Sequence, residues 1–453
     1  MASFIRDDGC RSRGFPILIG VALMAHIFVL FLDSNHTSND TPTYVIPAQA
    51  LLRGEGFVDA RGLPETRRTP GYPLFLSVFY ALHLGDTGIL IVQHSIAVLM
   101  VAFLYRWTCK ITGDCHAALV AGWILLLDIP SLVHPNLILT ETLFTLTVWS
   151  IVTLMGSGER QEPSIPRLGM AGLLSAVSTL IRPISLFYAP LLALWFLACA
   201  WMRRLKASSQ NKYIPLLGAV ILLGVNALPL GLWAKHNQHQ TGVFAIHSIA
   251  GDNMLFYKAA GALAMEDPGD YAANFERHKK ELKMLADARI EEETGVPAAS
   301  LHLAKRSPYY EKLGIELLLS HPIGTIKIAI YGLAGILLGG STEAVHRWTG
   351  LPTNVIRPVV ALWQILVMVL MLVGIRRLYK KMPCITTLLL LTCGYFIVLP
   401  LGGEAYSRFR VPVMPYIAFF AGHGYAALKS WRQMTGMWAK RDDAGSDTVA
   451  FHG

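Results

Sequence analysis

Ionisable side chains close to long apolar segments are the residues of this chain best suited to chemistry. Asp40 follows the apolar segment 15–32, and the basic turn 67–73 comes before the next apolar segment. A carboxylate can take up a proton, and the planar guanidinium of Arg68 matches the geometry of phosphate oxygens. These residue types could serve proton uptake and the binding of an anion.

Structural roles account for the same residues. Asp40 or Thr41 can cap a short helix that has Pro42 in its first turn, because Asp is a preferred N-cap and Pro suits the first helical position. Arg68 and Tyr72 can be anchors that hold the chain at a membrane surface. Both alternatives stay open here, and a cap is compatible with chemistry because a helix start also fixes a carboxylate in place.

Three further ionisable positions lie within or beside apolar segments. Glu141 and Asp128 lie near the ends of their segments, and Arg182 interrupts a stretch that is otherwise apolar. Such groups normally pair with one another or line a hydrated cavity. The alternative to a functional role is a structural ion pair, such as Glu141 with Arg182.

The elements that must position these side chains are membrane-spanning helices. Of the 453 residues, 53% are hydrophobic and 15% are charged. A typical soluble protein has about 25% charged residues, so the composition excludes an ordinary cytosolic enzyme. Runs of about 18–22 apolar residues can cross the hydrocarbon core as helices. They predict ten spans, near 15–32, 88–106, 117–133, 137–155, 168–181, 183–201, 214–234, 355–375, 383–400 and 411–428.

Charge divides the loops between these spans into two classes. The long segments 33–87 and 235–321 hold 4 and 10 basic residues against 6 and 12 acidic residues, so each has a net charge of −2. The rest of the chain holds 25 basic and 12 acidic residues, a net charge of +13. Lys and Arg in short loops mark the cytoplasmic side. We therefore expect the two long loops to lie outside the membrane and the loops 202–213 and 376–382 to lie inside. The excess of basic residues is explained by this topology and gives no indication of nucleic-acid binding.

The apolar run 322–340 conflicts with this topology, because a further crossing there would place the basic loop 376–382 outside. We therefore expect 322–340 to be interfacial or re-entrant and both termini to lie inside. The segment 274–293 is rich in helix formers and is stopped by Gly295 and Pro297. It predicts a small helical lid over the outer face.

Arg408 and Arg410 precede the last span and lie on the predicted outer side. The preference of basic residues for the cytoplasmic side does not explain them there. They suit an anionic lipid headgroup, and the alternative is a simple anchor. Metal-ligand and nucleotide-binding spacings are absent from the sequence. We therefore expect no metal-binding residues and no required cofactor, and a divalent cation is compatible but not indicated.

Taken together, these pieces resemble the membrane glycosyltransferases of the GT-C fold. The likeness is to the polyprenyl-phosphate-sugar-dependent family (glycosyltransferase family 39-like) that includes the protein O-mannosyltransferases and the aminoarabinose transferases. The order of elements along most of the chain carries it. The strongest local pieces are 40–56, 68–73, 139–144, 182–183 and 407–415. The resemblance implies an all-α polytopic membrane protein, a GT-C type transmembrane helix bundle with about 10–12 spans and a small helical outer-face lid.

The resemblance also implies roles for single residues. Asp40 falls on the catalytic carboxylate, although many family members have paired acids there and this chain has Asn39 and Thr41 as neighbours. Arg68 falls on a basic position at the donor phosphate, and Glu141 on the acidic position of the fourth span. The remaining expected site residues are two further donor-phosphate groups and three supporting side chains: Arg408, Arg410, Tyr44, Tyr72 and Arg182.

The implied function is transfer of a sugar from a polyprenyl-phosphate carrier to a lipid, glycan or protein acceptor, with inversion, at the outer face of the cell membrane. The implied modules are an N-terminal transmembrane catalytic module (1–234, with the outer loop 33–87), a helical outer loop (235–321), and a C-terminal transmembrane module with a cytoplasmic tail (322–453). The alternatives are an exporter or flippase of lipid-linked saccharides and a polymerase or ligase. A transporter should show repeats with broken helices, and none is visible in the sequence.

Overall fold

The computed structural model describes residues 13–34, 36–156, 163–206 and 214–445. The predicted inner loop 202–213 lies largely outside the described residues, as does the end of the predicted cytoplasmic tail. The described region is helical, with one isolated β-bridge between Val58 and Pro64 and no strand.

The helices of the first half are Gly14–Leu32 (α1), Pro42–Leu52 (α2), Gly71–Ala81 (α3), Gly85–Thr112 (α4), Cys115–Leu126 (α5), Ile129–Val133 (α6), Glu141–Met155 (α7), Ile165–Ile181 (α8), Tyr188–Lys206 (α9) and Ile214–Thr241 (α10). Those of the second half are Ile249–Asp252 (α11), Ala260–Ala264 (α12), Tyr271–Thr294 (α13), Leu303–Ser320 (α14), Pro322–Leu338 (α15), Thr342–Thr349 (α16), Thr353–Lys381 (α17), Pro383–Val398 (α18) and Met414–Gly445 (α19). A π-helix covers Asn253–Ala259, and 3₁₀ turns cover His134–Asn136, Pro183–Ser185, Ala298–Ser300 and Ser407–Val413.

Each of the ten predicted spans corresponds to a helix or to a helix pair. Among the described residues, seven segments are long and apolar enough to cross a membrane, and the bent pair α5–α6, with a 69° break, makes an eighth. One of the seven, Pro322–Thr349, is not among the predicted spans. The other six, the bent pair and the shorter helices α7, α8 and α18, with 15, 17 and 16 residues, match the predicted ten. The protein is therefore a multi-pass membrane protein with the predicted all-α architecture.

The bundle is closely packed between α17 and α19. A Cβ placed on Gly374 would lie 1.8 Å from the carbonyl oxygen of Phe420, and one on Gly424 would lie 1.9 Å from that of Leu370. Only glycine permits this approach of two helix backbones, as is common where membrane helices associate through small residues. The close packing fixes α19 and therefore also the Ser407–Val413 turn that leads into it.

The two long loops meet at one end of the bundle, which we call the Asp40 end. The Thr66 and Ser248 hydroxyl oxygens are 2.9 Å apart, and the imidazole of His302 lies 2.9 Å from the carbonyl oxygen of Pro64. Arg67 Nη2 donates to Asp252 Oδ2 at 2.6 Å. These contacts join the first loop to the second, as the predicted topology requires.

The second long loop forms the predicted lid. Its helix α13 is capped by Asp270, whose carboxylate accepts from the backbone N–H of Ala273, and ends at Gly295 in the left-handed conformation (φ 71°). Phe275, Leu282 and Ile290 of α13 are buried against α14 and the π-helix. The bundle helix α10 continues to Thr241, so the lid begins later than the predicted boundary at 235.

Helix α15 begins and ends at the Asp40 end. Its first turn contacts the lid, where Glu266 accepts from the backbone N–H of Gly324 at 2.8 Å. After its last turn, the carbonyl oxygen of Gly339 accepts from Arg410, and α16 places Arg347 2.7 Å from Asp33, just beyond the end of α1. The segment is long and apolar enough to cross a membrane, so its interfacial or re-entrant course stays a prediction.

Candidate active site

Asp40 lies between two guanidinium groups. Arg68 Nη2 donates to Asp40 Oδ1 at 2.7 Å, and Arg408 Nη1 donates to Oδ2 at 2.9 Å. The Asp40 side chain remains 30% exposed. Each carboxylate oxygen has a second lone pair, so a substrate hydroxyl can still donate to Asp40 from the exposed side.

The charge on Asp40 is stabilised by these neighbours. Burial alone would raise the pKa of the Asp40 carboxyl, but the charges and hydrogen bonds of Arg68 and Arg408 outweigh it, and the pKa is lowered from its ordinary value. Asp40 is therefore ionised at neutral pH and can accept a proton.

The structure does not support the helix-cap interpretation of Asp40. Helix α2 begins after Thr41, with Pro42 at its first position and no side-chain cap. The Thr41 hydroxyl instead donates to the carbonyl oxygen of Ile138 at 3.2 Å. Because both Asp40 oxygens bind guanidinium groups, the carboxylate faces away from the helix start.

Arg68 is held from three sides. Its Nε donates to the Thr43 hydroxyl at 2.9 Å, and its guanidinium carbon lies 4.7 Å from the centre of the Tyr44 ring. Glu65 accepts from the backbone N–H groups of Arg67 and Arg68, at 2.6 and 3.1 Å. A buried carboxylate and an aromatic face thus fix the direction of this side chain.

Tyr72 supports Tyr44 rather than anchoring the chain at a surface. The two rings meet edge to face with their centres 5.3 Å apart. Tyr72 is fully buried, and its hydroxyl donates to Gln93 Oε1 at 2.8 Å. Gln93 in turn donates to the carbonyl oxygen of Leu137 at 2.8 Å, so the support for Arg68 reaches into α4 and the start of α7.

Gly71 brings the basic turn against the end of α8. A Cβ at this position would lie 2.7 Å from the carbonyl carbon and oxygen of Leu180. Any other side chain would displace the turn from α8. The contact sets Arg68 and Arg182, from opposite sides of this junction, near the same end of the bundle.

Glu141 and Arg182 form the expected ion pair. Arg182 Nη1 lies 3.2 Å from Glu141 Oε1, with the carboxylate 2% exposed. The Arg182 guanidinium also lies 5.3 Å from the centre of the Phe409 ring, and the charge of Arg408 acts on Glu141. The pair is therefore adjacent to the Asp40 cluster, and Glu141 Oε2 is buried with no hydrogen-bond partner in the described structure.

Arg410 lies outside this cluster, although it was expected to bind the donor phosphate. It is fully buried, and its Nη2 donates to Asp128 Oδ1 at 2.8 Å. Its Nη1 donates to the carbonyl oxygens of Ile336, Leu337 and Gly339. The structure gives Arg410 a role in joining α15 to the bundle, because its guanidinium has no exposed surface at which to meet a lipid.

Four residues of the site were not singled out from the sequence: Thr43, Glu65, His134 and Glu404. Thr43 and Glu65 lie close in sequence to Asp40 and Arg68, so proximity to those residues was an available signal. His134 is buried, its charge interacts with those of Glu141, Arg408 and Arg182, and its Nδ1 has no partner in the described structure. Glu404 lies in the same loop as Arg408, and its charge interacts with those of Asp40 and Arg408.

The cluster can therefore accept a proton and bind an anion. Arg68 and Arg408 both contact the Asp40 carboxylate, and Arg182 pairs with Glu141. The Arg408 Nε is buried and has no hydrogen-bond partner among the described residues. Within those residues, no group of three or more His, Cys, Asp or Glu side chains is arranged to hold a metal ion.

No protein-family model and no curated protein matches the chain. Among solved structures, ArnT from Cupriavidus metallidurans in the apo state is 15% identical, with 90% of this chain and 76% of that chain covered and a TM-score of 0.38. ArnT bound to undecaprenyl phosphate is 15% identical, with 91% and 78% covered and a TM-score of 0.40.

The archaeal oligosaccharyltransferase AglB from Archaeoglobus fulgidus, in complex with an inhibitory peptide and a dolichol-phosphate, is 10% identical to this chain. The match covers 97% of this chain and 52% of AglB, with a TM-score of 0.50. This chain therefore spans about half the length of AglB. The likeness over nearly the whole chain shows the GT-C fold and confirms the predicted fold class.

Proposed function

We propose that this protein is an integral-membrane glycosyltransferase that moves a sugar from a polyprenyl-phosphate carrier to an acceptor. The observation that carries the proposal is Asp40, an ionised and partly exposed carboxylate held by Arg68 and Arg408. The GT-C fold shared with AglB supports it, and the AglB structure holds a dolichol-phosphate. The same carrier chemistry fits the cationic cluster of this chain.

The donor phosphate is bound by guanidinium groups in this proposal. Arg68 and Arg408 meet at Asp40, and Arg408 Nε is a buried donor without a partner in the described structure. A phosphate oxygen would satisfy it with a charge-assisted hydrogen bond. Fixed positive charge also stabilises the leaving phosphate as its negative charge grows. Arg68 and Arg408 therefore serve both binding and rate, while Tyr44 and Tyr72 hold Arg68 in place.

The proposed reaction is a single displacement. An acceptor hydroxyl or amine attacks the anomeric carbon, a new bond forms there, and the bond from that carbon to the phosphate oxygen breaks. The acceptor proton passes to Asp40 as general base, an effect typically worth about 10²–10⁴-fold. The electron pair of the broken bond leaves with the polyprenyl phosphate. One displacement inverts the anomeric carbon, and no step requires a metal or another cofactor.

The active site faces the extracytoplasmic side of the cell membrane in this proposal. The two long loops with a net charge of −2 each meet at the Asp40 end. The basic residues Lys380 and Lys381 lie at the end of α17 far from α16, whose Arg347 contacts Asp33. Lys and Arg near span ends favour the cytoplasmic side, which supports an outside position for Asp40.

Two other functions would use the same outer cations: export of lipid-linked saccharides, and a polymerase or ligase reaction. The deciding experiment uses the full-length protein in nanodiscs with a synthetic polyprenyl-phosphate-[¹⁴C]sugar and a mixed acceptor extract of the cell envelope. Labelled product from wild type, but not from Asp40→Asn, supports the enzyme. Movement of the donor across proteoliposomes without a new covalent product supports an exporter instead, and transfer of an assembled chain rather than one sugar supports a ligase.

A further inference from the structure

A carboxylate without a partner lies beside Asp40. Glu404 is half-buried in the loop between α18 and the Ser407–Val413 turn. Its charge interacts with those of Lys279, Arg408, Asp40 and Glu276, yet it forms no hydrogen bond or ion pair with any described residue. Burial raises its pKa despite the opposing charges of Lys279 and Arg408. A half-buried acid in this setting has unused capacity to accept hydrogen bonds.

Four tyrosines lie in the segments that pack against the loop of Glu404 or in that loop: Tyr257 in the π-helix, Tyr271 in α13, Tyr331 in α15 and Tyr406 in the loop itself. Tyr271 lies 5.3 Å from Tyr331 of α15, measured between ring centres. The electrostatic neighbours of Tyr406 include Glu404, Tyr331 and Tyr257. Tyr331 and Tyr406 are 52% and 51% exposed. We call Glu404 and these four tyrosines the Glu404 patch.

The backbone of the loop is shaped to sit against the lid here. The N–H of Gly403 donates to the carbonyl oxygen of Tyr257 at 3.1 Å. A Cβ at Gly403 would lie 2.9 Å from the Tyr271 hydroxyl and from the ring of Phe275. The Tyr271 hydroxyl itself is buried and has no hydrogen-bond partner in the described structure. These contacts place the loop that carries Glu404 directly against Tyr257 and Tyr271 of the lid.

We infer that the Glu404 patch is the subsite for the acceptor and that it binds an uncharged saccharide. The inference rests on the proposed function and adds to it the chemical class of the acceptor. Sugar hydroxyls can donate to the half-buried Glu404 carboxylate and exchange hydrogen bonds with the hydroxyls of Tyr331 and Tyr406, whose side chains are exposed. Exposed tyrosine rings supply amphipathic faces against which the C–H side of a sugar ring packs, at little cost in side-chain entropy.

Charge separates this subsite from that of the donor. The carboxylate of Glu404 repels a phosphate or a carboxylate, whereas the guanidinium groups of Arg68 and Arg408 attract one. The anionic donor therefore binds on the arginine side of Asp40 and the neutral acceptor on the Glu404 side. Asp40 lies between the two and can take the acceptor proton.

The test measures binding directly, without the transfer reaction. Saturation-transfer-difference NMR of the full-length protein in nanodiscs is recorded with glucose, mannose, galactose, N-acetylglucosamine, xylose and glucuronate, and with a Ser- and Thr-containing tripeptide. We expect signals for at least one neutral sugar and weaker ones for glucuronate and the tripeptide. Tyr406→Ala should reduce the neutral-sugar signal at least fivefold, and Glu404→Gln should abolish the preference for neutral sugars over glucuronate.

Matched controls are Tyr379→Ala, at the far end of α17 and 55% exposed, and Glu343→Gln, an exposed acid on α16 whose side chain is 68% exposed. Both should bind sugars as wild type does, and equal melting temperatures show that the variants are folded. Absence of every neutral-sugar signal, a stronger tripeptide signal, or an unchanged preference in Glu404→Gln overturns the inference. The radiolabelled transfer assay tests the proposed function separately. If Glu404→Gln and Tyr406→Ala form labelled product with an unchanged acceptor KM, the enzyme assignment stands and the acceptor subsite is wrong. If neutral sugars bind but no labelled product forms with any donor and acceptor, the proposed glycosyltransferase activity is wrong and the patch is a sugar-binding site without an acceptor role.

Discussion

Arg408 and Asp40 lie 368 positions apart in the sequence, and Arg408 Nη1 lies 2.9 Å from Asp40 Oδ2. Asp40 precedes the first short helix after α1, and Arg408 lies just before α19, so the ion pair joins the N-terminal and C-terminal parts of the chain. The N-terminal module (residues 1–234) therefore lacks one of the two guanidinium groups that hold the carboxylate. We propose that both transmembrane modules contribute to one site, which refines the assignment of catalysis to 1–234 alone.

Replacing Asp40 tests the general base. Asp40→Asn keeps the size of the side chain and removes its negative charge, so sugar transfer should fall by at least about 10²-fold. Donor binding should be retained, because the guanidinium groups remain. The measurement is single-turnover transfer together with donor affinity, in protein whose melting temperature is recorded.

The matched control is Asp59→Asn in the same loop, which breaks a similar ion pair with Arg61 at 2.8 Å. This variant should transfer sugar at the wild-type rate. Wild-type turnover in Asp40→Asn would remove the base assignment.

Arg408 and Arg410 should give opposite phenotypes although they are two residues apart. Arg408 contacts the exposed carboxylate of Asp40, so Arg408→Ala should weaken donor binding and lower kcat while the protein stays folded. Arg410→Ala leaves the buried Asp128 without its cation, and by analogy with broken buried pairs it should lose about 3–5 kcal/mol of stability. Thermal unfolding and steady-state kinetics of the two variants separate these outcomes. The same phenotype in both would contradict the distinct roles given to them.

The different contacts of Arg408 and Arg410 could not be predicted from the sequence. Both were predicted to bind phosphate, because both are basic and precede the last span. In a 3₁₀ turn each residue rotates by about 120°, so residues two apart lie on different faces. One face meets Asp40, and the other meets Asp128 and the end of α15. Which face is which depends on the packing of the whole bundle.

The residue types near the apolar segments predicted most of the site, whereas the contacts between distant parts of the chain could not be predicted from the sequence. Asp40, Arg68, Glu141 and Arg182 were singled out because ionisable groups beside apolar helices are costly and need partners, and the structure places all four at one end of the bundle. Glu404 was missed because its setting depends on the lid. The ten spans and the lid helix followed from apolar run length, charge and helix-stop residues, which act locally.

The acid limb of the pH–rate profile should report the lowered pKa of Asp40. Transfer requires the ionised carboxylate, and the pKa is lowered by Arg68 and Arg408 against the effect of burial, so activity should be lost only when the pH falls below the usual aspartate range of about 4. Arg68→Gln removes one of the two cations and should raise this pKa, so its activity should decline at higher pH than that of wild type.

The readout is kcat/KM between about pH 2 and pH 8, with Arg61→Gln as the control that should keep the wild-type profile. Stability should depend on pH in the same direction. Because the pKa of Asp40 is lower in the folded protein than in the unfolded chain, its carboxylate stabilises the fold at pH values above the unfolded pKa. That contribution is lost as the pH falls through the folded-state pKa. An acid limb that stays in place in Arg68→Gln would show that Asp40 does not control it.

Glu141 and Arg182 should be coupled in stability. Glu141→Leu or Arg182→Leu alone leaves a buried charge without its partner and should cost about 3–5 kcal/mol. The double variant removes both charges and should recover some of that loss. Thermal unfolding of the four proteins in nanodiscs gives the coupling, and the exposed pair Arg53 and Glu55 provides a control cycle in which no coupling should be measurable. Additive losses for Glu141 and Arg182 would mean that the observed contact does not stabilise the bundle.

The topology can be tested at three exposed positions, and the third decides the course of α15. In a background without accessible native cysteines, Ser300→Cys in the lid and Glu343→Cys in α16 should react with a membrane-impermeant maleimide on intact cells. Lys381→Cys, at the end of α17, should react only after permeabilisation. If α15 crossed the bilayer, Glu343→Cys would be protected until permeabilisation and Lys381→Cys would be labelled from outside. The contacts of Gly324 with the lid and of Arg347 with Asp33 place both ends of this segment at the Asp40 end, so we expect outside labelling at Glu343→Cys and protection at Lys381→Cys.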